Sequence, residues 1–201
     1  MATPLDLDQL GIPTLDADPA RQLLTVPQPV VPYGTIPRGH PMPGTFHFYT
    51  ADQKFTRLFS RPERILATGC AACIEPNPST GPGVPTAAAL YGVMRKRTVA
   101  KFWQTCGIKI SVDLNVDDSV LPYALLGVPA GWRSYAARKH RHHGLDWIIA
   151  RHDLAVAHAG RPDITFIVVG GGAAVGAACA ERGWIAVPEH CRYLRLKGAA
   201  A

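Results

Sequence analysis

From residue 45 onward the chain alternates short apolar runs with longer amphipathic stretches. Phe46-His47-Phe48-Tyr49 reads as a short strand, followed by a helix capped by Asp52 that runs to about Phe59, ahead of Pro62. Ile65 to Thr68 and Cys70 to Ile74 are strand-like, split by Gly69. Thr86 to Cys106 predicts a long helix, with Leu90, Val93, Met94, Phe102 and Trp103 apolar and Gly107 as a left-handed stop. Ile108 to Leu114 reads as a strand, with a short helix at residues 119–126 after it. A further strand follows at Trp132 to Ala137, and then a helix at Leu145 to Ala159. Ile164 to Val169 is apolar and β-branched, as a strand covered on both faces must be. Gly170-Gly171-Gly172 turns into a helix at Ala173 to Arg182, and Trp184 to Val187 is the last strand.

Strand–helix alternation of this kind predicts an α/β fold: a mostly parallel sheet of five or six strands with helices on both faces. That is a three-layer sandwich, and a truncated barrel is the alternative. The first 44 residues differ from the rest. They hold nine of the 18 prolines, which remove backbone donors and block helix and central strand. They are also too apolar for a solvated tail. The reading is therefore an extended arm over residues 1–44, lying on the body or on a partner subunit, and a single α/β domain over 45–201. An arm that wraps a neighbour would make the protein a homo-oligomer.

The composition, at 201 residues with 47% hydrophobic and 18% charged, excludes wholesale disorder. No apolar run approaches the roughly eighteen residues of a membrane span. Residues 1–6 show neither a basic start nor an apolar stretch, so no export signal is expected and a cytoplasmic location is. Five cysteines, at 70, 73, 106, 179 and 191, fit free thiols in a reducing compartment. Cys70 and Cys73 have metal-ligand spacing, but the better reading is a buried structural pair.

Net charge is +6, and it is uneven: residues 91–201 carry 15 Lys/Arg against 8 Asp/Glu, whereas residues 1–90 carry 6 against 7. A basic half attracts polyanions, because phosphate contacts release counterions. Arg95, Arg97, Lys101, Arg133, Arg138, Lys139 and Arg141 are the expected contacts to DNA or RNA.

In parallel α/β folds, ligands bind at the carboxyl ends of strands. That filter selects Glu75 and Asn77, then Asp113, Asn115 and Asp117, then Lys139 and His140, then Gly170 to Gly172, and last Glu189 and His190. Asp113, Asn115 and Asp117 alternate and could present oxygen ligands to Mg²⁺ or Mn²⁺. Such a site would serve phosphoester hydrolysis or transfer, with Glu75 and Asp113 catalytic and His140 a general acid or base. The glycine run departs from the dinucleotide spacing and suits a tight turn or one phosphate. Tyr135 and Lys139 match the Tyr-x-x-x-Lys of rolling-circle nickases, but the histidine strand those enzymes need upstream is absent.

Several spacings resemble a bacterial and phage family known as domain of unknown function 4417. Phe48-x-x-x-Asp52-x-x-Phe55, Phe59-x-x-Pro62 and Leu66 resemble its opening block. Arg97, Gln104, Gly107-Ile108 and then Gly127-Val128-Pro129 resemble its middle block. The resemblance covers roughly residues 36–190 and leaves the arm outside. It departs at Glu75-Pro76-Asn77-Pro78-Ser79, where an Asp-Phe-Ser-like stretch is expected. The family carries no assigned reaction, but its phage and plasmid setting implies a role in replication or maintenance of a mobile element. The functional expectations are thus nucleic-acid binding, a metal-dependent phosphoester enzyme, or an assembly protein using its arm.

Overall fold

The computed structural model describes residues 6–36, 39–79 and 83–188. Seven strands form one sheet: β1 (Val30–Pro32), β2 (Thr45–His47), β3 (Ala72–Ile74), β4 (Lys109–Asp113), β5 (Ser134–Arg138), β6 (Thr165–Val169) and β7 (Ile185–Val187). Every pairing is parallel, and the strands lie side by side in chain order. The helices are α1 (Thr86–Thr105), α2 (Leu145–Ala159) and α3 (Gly172–Arg182). The α/β class and parallel sheet agree with the sequence. The strand count is seven because the arm supplies β1.

Chain-order parallel pairing with right-handed crossovers sends every helix to the same face, and the packing has this form. Phe46, Cys73, Ile110, Val112, Tyr135, Phe166 and Val168 share a core with Val99, Trp103, Ile148, Ala155, Val175 and Cys179 of the helices. The alternate strand positions Ala72, Ile74, Ala136, Ile167, Val169 and Val187 form a second core with Leu23 and Tyr49, and among the described residues none from α1, α2 or α3 enters it. Val30 of β1 and Ile185 of β7 both pack against that small core. A flat sheet would hold these edge strands almost 30 Å apart, at about 4.8 Å per strand. The sheet therefore curls into a nearly closed barrel, the alternative architecture, rather than a sandwich with helices on both faces.

The arm lies against its own body. Ile12, Leu15, Leu23, Val31 and Met42 are buried. Leu23 donates from its amide to the Ile110 carbonyl (2.9 Å), and Ser134 Oγ and Thr165 Oγ1 donate to the carbonyls of Leu23 and Leu24. These contacts plug the end where the strands begin. Inward positions around the plug are small or hydroxylic (Thr45, Ser111, Ser134), which leaves room for a leucine entering from below. Gln104 of α1 clips the arm from outside: its Oε1 accepts from the Asp16 amide (2.8 Å), and its Nε2 donates to the carbonyls of Asp16 and Arg21. Gly127 has φ +69, and a Cβ there would lie 2.4 Å from the Pro13 carbonyl oxygen. The arm's path thus requires glycine at that crossing. Much of the arm's apolar surface is thus buried within the same chain, while Leu7 and Leu10 near its start remain exposed.

Local differences follow from hydrogen bonding. The helix expected from Asp52 to Phe59 is two 3-10 turns, Asp52–Lys54 and Thr56–Phe59. Ile65 to Thr68, expected as strand, belongs to a third turn, Pro62–Thr68, which Gly69 ends in the left-handed conformation. Proline at its first position presets helical φ. Among the described residues no helix is long and apolar enough to cross a membrane.

Candidate functional site

All seven strands run the same way, so their carboxyl ends emerge at one rim. Four exits build the site there. From β3 come Glu75 and Asn77, from β4 Asp113 and Asn115, and from β5 Arg138, Lys139 and His140; Tyr49 follows β2.

Beneath the rim lies a buried network of two carboxylates and two cations. Glu75, Asp113, Lys96 and Arg97 are all at most 2% exposed. Arg97 is ion-paired with Glu75 and donates from Nε to the Leu126 carbonyl and from Nη2 to the Ala124 carbonyl. The other Glu75 oxygen accepts from the Asp113 amide at 3.1 Å. Lys96 Nζ donates to the Asp113 carbonyl (2.9 Å) and lies 3.4 Å from its carboxylate. Asp113 Oδ1 also accepts from the Tyr49 hydroxyl (2.9 Å) and the Asn115 amide, and Oδ2 from Asn77 Nδ2 (2.8 Å). Burial, reinforced by the Asp113 carboxylate, holds the Tyr49 hydroxyl well above its ordinary pKa, so it stays a donor. Each charge has an opposite partner and hydrogen bonds, the condition under which buried ions are tolerated.

Above this layer the side-chain amides tie the exits together. The Arg138 amide donates to Asn115 Oδ1, and Asn115 Nδ2 reaches Asn77 Oδ1 at 3.4 Å. They help enclose a polar pocket of about 280 Å³, lined by Asn77, Ser79, Asn115, Asp117, Arg138, His140, His143 and Trp147, with Val116. Trp147 forms a rigid wall, its ring stacked on His143 (centroids 4.3 Å apart) and the Arg151 guanidinium on it at 3.7 Å. Desolvation, together with nearby Arg138, His142, His143 and Arg141, pushes the His140 pKa below its ordinary value.

The β6 exit adjoins this pocket. Gly170, Gly171 and Gly172 all have positive φ, and Gly171 leads into α3 with no side-chain cap. A Cβ on Gly171 would sit 2.8 Å from Lys139 Cγ and closer still to Val175, so the Lys139 stem packs directly on the glycine backbone. Glu189 and His190 lie outside the described residues.

The structure therefore brings Glu75, Asp113, Asn115, Arg138 and His140 to one rim. The carboxylates are engaged by Lys96 and Arg97 rather than open to a metal. Asp117 accepts from the Ser119 amide and hydroxyl, which holds its carboxyl below the usual range. Among the described residues no group of three or more His, Cys, Asp or Glu could hold a metal ion.

The cations expected to contact nucleic acid are spread over several parts of the structure. Arg97 is buried in the network and cannot reach a phosphate. Arg95 lies over the Phe59 ring at 3.9 Å, and Lys101 is half-buried farther along α1. Arg133 precedes β5 and pairs with Asp163 (3.0 Å), about 17 Å from Arg138 by strand rise. Arg138, Lys139 and Arg141 remain together at the rim. Tyr135 is buried, its hydroxyl donating to the Trp132 carbonyl and meeting His158, so the nickase-like pair is accidental. Cys70 and Cys73 are buried and free, their sulfurs 3.9 Å apart.

Sequence reasoning missed Tyr49, Lys96, His143 and Trp147. A signal for the network was present: Val93, Arg97, Ala100 and Gln104 lie on one stripe of α1, so Arg97 and Gln104 face the core with their apolar neighbours.

A family described as a domain of unknown function, DUF4417, matches residues 7–133. The chain belongs to this family. The match starts in the arm and ends before β5, so the expected span of 36–190 with the arm excluded is corrected. The arm carries the plug and β1, which places it inside the family's structural unit. Two curated relatives are the Gene 1 proteins of Mycobacterium phage D29 and Mycobacterium phage L5. Each is 35% identical over 69 residues, 33% of this chain, and the matched stretch spans only 26% and 30% of their respective lengths. No solved structure matches the chain.

Proposed function

We propose that this phage-related DUF4417 protein is a nucleic-acid-binding accessory protein that takes backbone phosphate at the barrel rim, in the replication or maintenance of a mobile element. One observation carries the reading. Arg138, His140 and His143 surround a polar pocket at the strand exits, while Lys96 and Arg97 already neutralise the carboxylates below it. An incoming phosphate meets guanidinium, imidazole and amide donors, with Asp117 the one carboxylate among the described lining residues. Lys139 and Arg141 extend the positive edge along the exit of β5, and the uncapped amides of α3 stand beside Lys139 on the same rim.

The test is fluorescence anisotropy of labelled single-stranded DNA, duplex DNA and RNA, titrated with the full chain across a salt series. Binding should weaken steeply with salt, and Arg138→Ala with Arg141→Ala should lower both affinity and salt slope. Absence of binding at low salt for all three probes would end the proposal.

A further inference from the structure

A cavity of about 660 Å³ lies away from the rim, on the helix side of β2. It shares no lining residue with the rim pocket. Three consecutive 3-10 turns supply its cations: Lys54 from Asp52–Lys54, Arg57 from Thr56–Phe59, and Arg64 from Pro62–Thr68. His40 adds an imidazole, and Gln53 and Thr68 add neutral polar groups. Among the described residues no aspartate or glutamate lines the cavity. Asp52, the acid adjoining this group in sequence, is turned to Ser79, accepting from its amide and hydroxyl at 3.0 Å each. Lys54, Arg57 and Arg64 form no ion pair among the described residues, in contrast with Lys96, Arg97, Arg133 and Arg151.

The opposite wall is aromatic and rigid. Tyr33 is stacked on Phe48 with centroids 5.3 Å apart and meets Phe46 edge-on at 5.3 Å. Phe46 and Leu58 are buried in the floor. Gly34 has φ +82, and a Cβ there would touch the Lys54 stem at 3.4 Å, so the lysine lies close along the cavity mouth. Three cations gathered without counter-ions, facing a fixed aromatic wall, match a ligand that is anionic at one end and flat at the other. The volume falls within the range of about 300–1,000 Å³ typical of small-molecule sites, far more than one inorganic phosphate fills.

We propose that this cavity binds a mononucleotide, with its phosphates on Lys54, Arg57 and Arg64 and its base along the Tyr33 wall. This site is separate from the rim and does not depend on the nucleic-acid reading.

The experiment is isothermal titration of the full chain with ADP, adenosine and inorganic phosphate in turn. ADP should bind, and adenosine and phosphate should each bind at least about tenfold more weakly, since each lacks one half of the recognition. Arg57→Ala with Arg64→Ala should weaken ADP binding by about tenfold or more. Both side chains reach solvent and form no ion pair that the change would break, so the circular dichroism spectrum should be unchanged. Arg138→Ala should leave ADP binding as it is. The assignment is overturned by no heat with ADP at millimolar concentration, by equal binding in the Arg57/Arg64 double variant, or by loss of binding in Arg138→Ala, which would move the ligand to the rim. Phosphate binding as tightly as ADP would equally overturn it.

Discussion

At the pole where the strands begin, Leu23 enters the barrel with its backbone bonded to Ile110 and Ser134, and the Leu24 carbonyl accepts from Thr165. At the pole where they end, Glu75, Asp113, Lys96, Arg97 and Tyr49 form a charged layer under an open polar pocket. The first pole is closed by apolar fill and neutral hydrogen bonds. The second holds groups that gain little from burial by themselves and are retained only by mutual pairing. The contrast separates residues that hold the barrel together from residues placed to meet a ligand, and the dividing line falls inside the rim. Arg97 and Arg138 are both arginines of the basic half, yet one is wholly enclosed and the other borders the pocket.

The sharpest way to break the comparison is Arg97→Ala. It leaves the Glu75 carboxylate buried without its partner, and urea unfolding should show a loss of about 3–5 kcal/mol. A loss under about 1 kcal/mol, on the scale of a surface pair, would mean the network is solvated. At the other pole, Leu23→Ala removes the plug and should cost about 2–5 kcal/mol, read the same way. Gln104→Ala strands the backbone groups of Asp16 and Arg21 and should cost about 1–3 kcal/mol, with faster amide exchange in the arm. Arg138→Ala with Arg141→Ala should change stability by no more than about 0.5 kcal/mol. The same pair should lower the log–log salt slope of single-strand binding by about 0.7 for each phosphate that is no longer neutralised. The smallest effect is on pH. His140 is held below its ordinary pKa, so it is neutral at neutral pH and gains its charge only as pH falls below about 6.5. Nucleic-acid affinity should therefore rise on acidification through that window. Replacing His140 by Gln should flatten the rise in an anisotropy titration run at several pH values.

The elements that depend on local pattern were legible. Val168 and Val169 sit in an apolar β-branched run that is a strand wherever it is covered on both faces, and α2 spans the residues its periodicity marks. Gly107 and Gly183 end α1 and α3 in the left-handed conformation, as their positions predict. The turns around Asp52 and Ile65 were less legible. Helix and 3-10 turn share the same opening residues, and only the hydrogen-bond spacing in the folded chain separates them. Of the site, Glu75, Asp113, Asn115 and His140 were found because strand exits share one rim in any parallel sheet. The partners that surround them were less legible. Asp113 looks like a metal ligand in sequence, and only the approach of Lys96, Tyr49 and Asn77 from three other elements makes it a buried acceptor.

What the amino-acid sequence determined alone was the parallel α/β class, the set of strand exits and the surplus of cations in the second half, because side-chain period and formal charge are properties of short stretches. The tertiary structure decided the rest. It curled the sheet until β1 and β7 shared a core, drew the proline-rich arm inside as a plug, and sorted the cations into buried partners and rim groups. Those outcomes depend on distances between residues dozens of positions apart, and such distances arise only when burial of apolar surface brings those residues together.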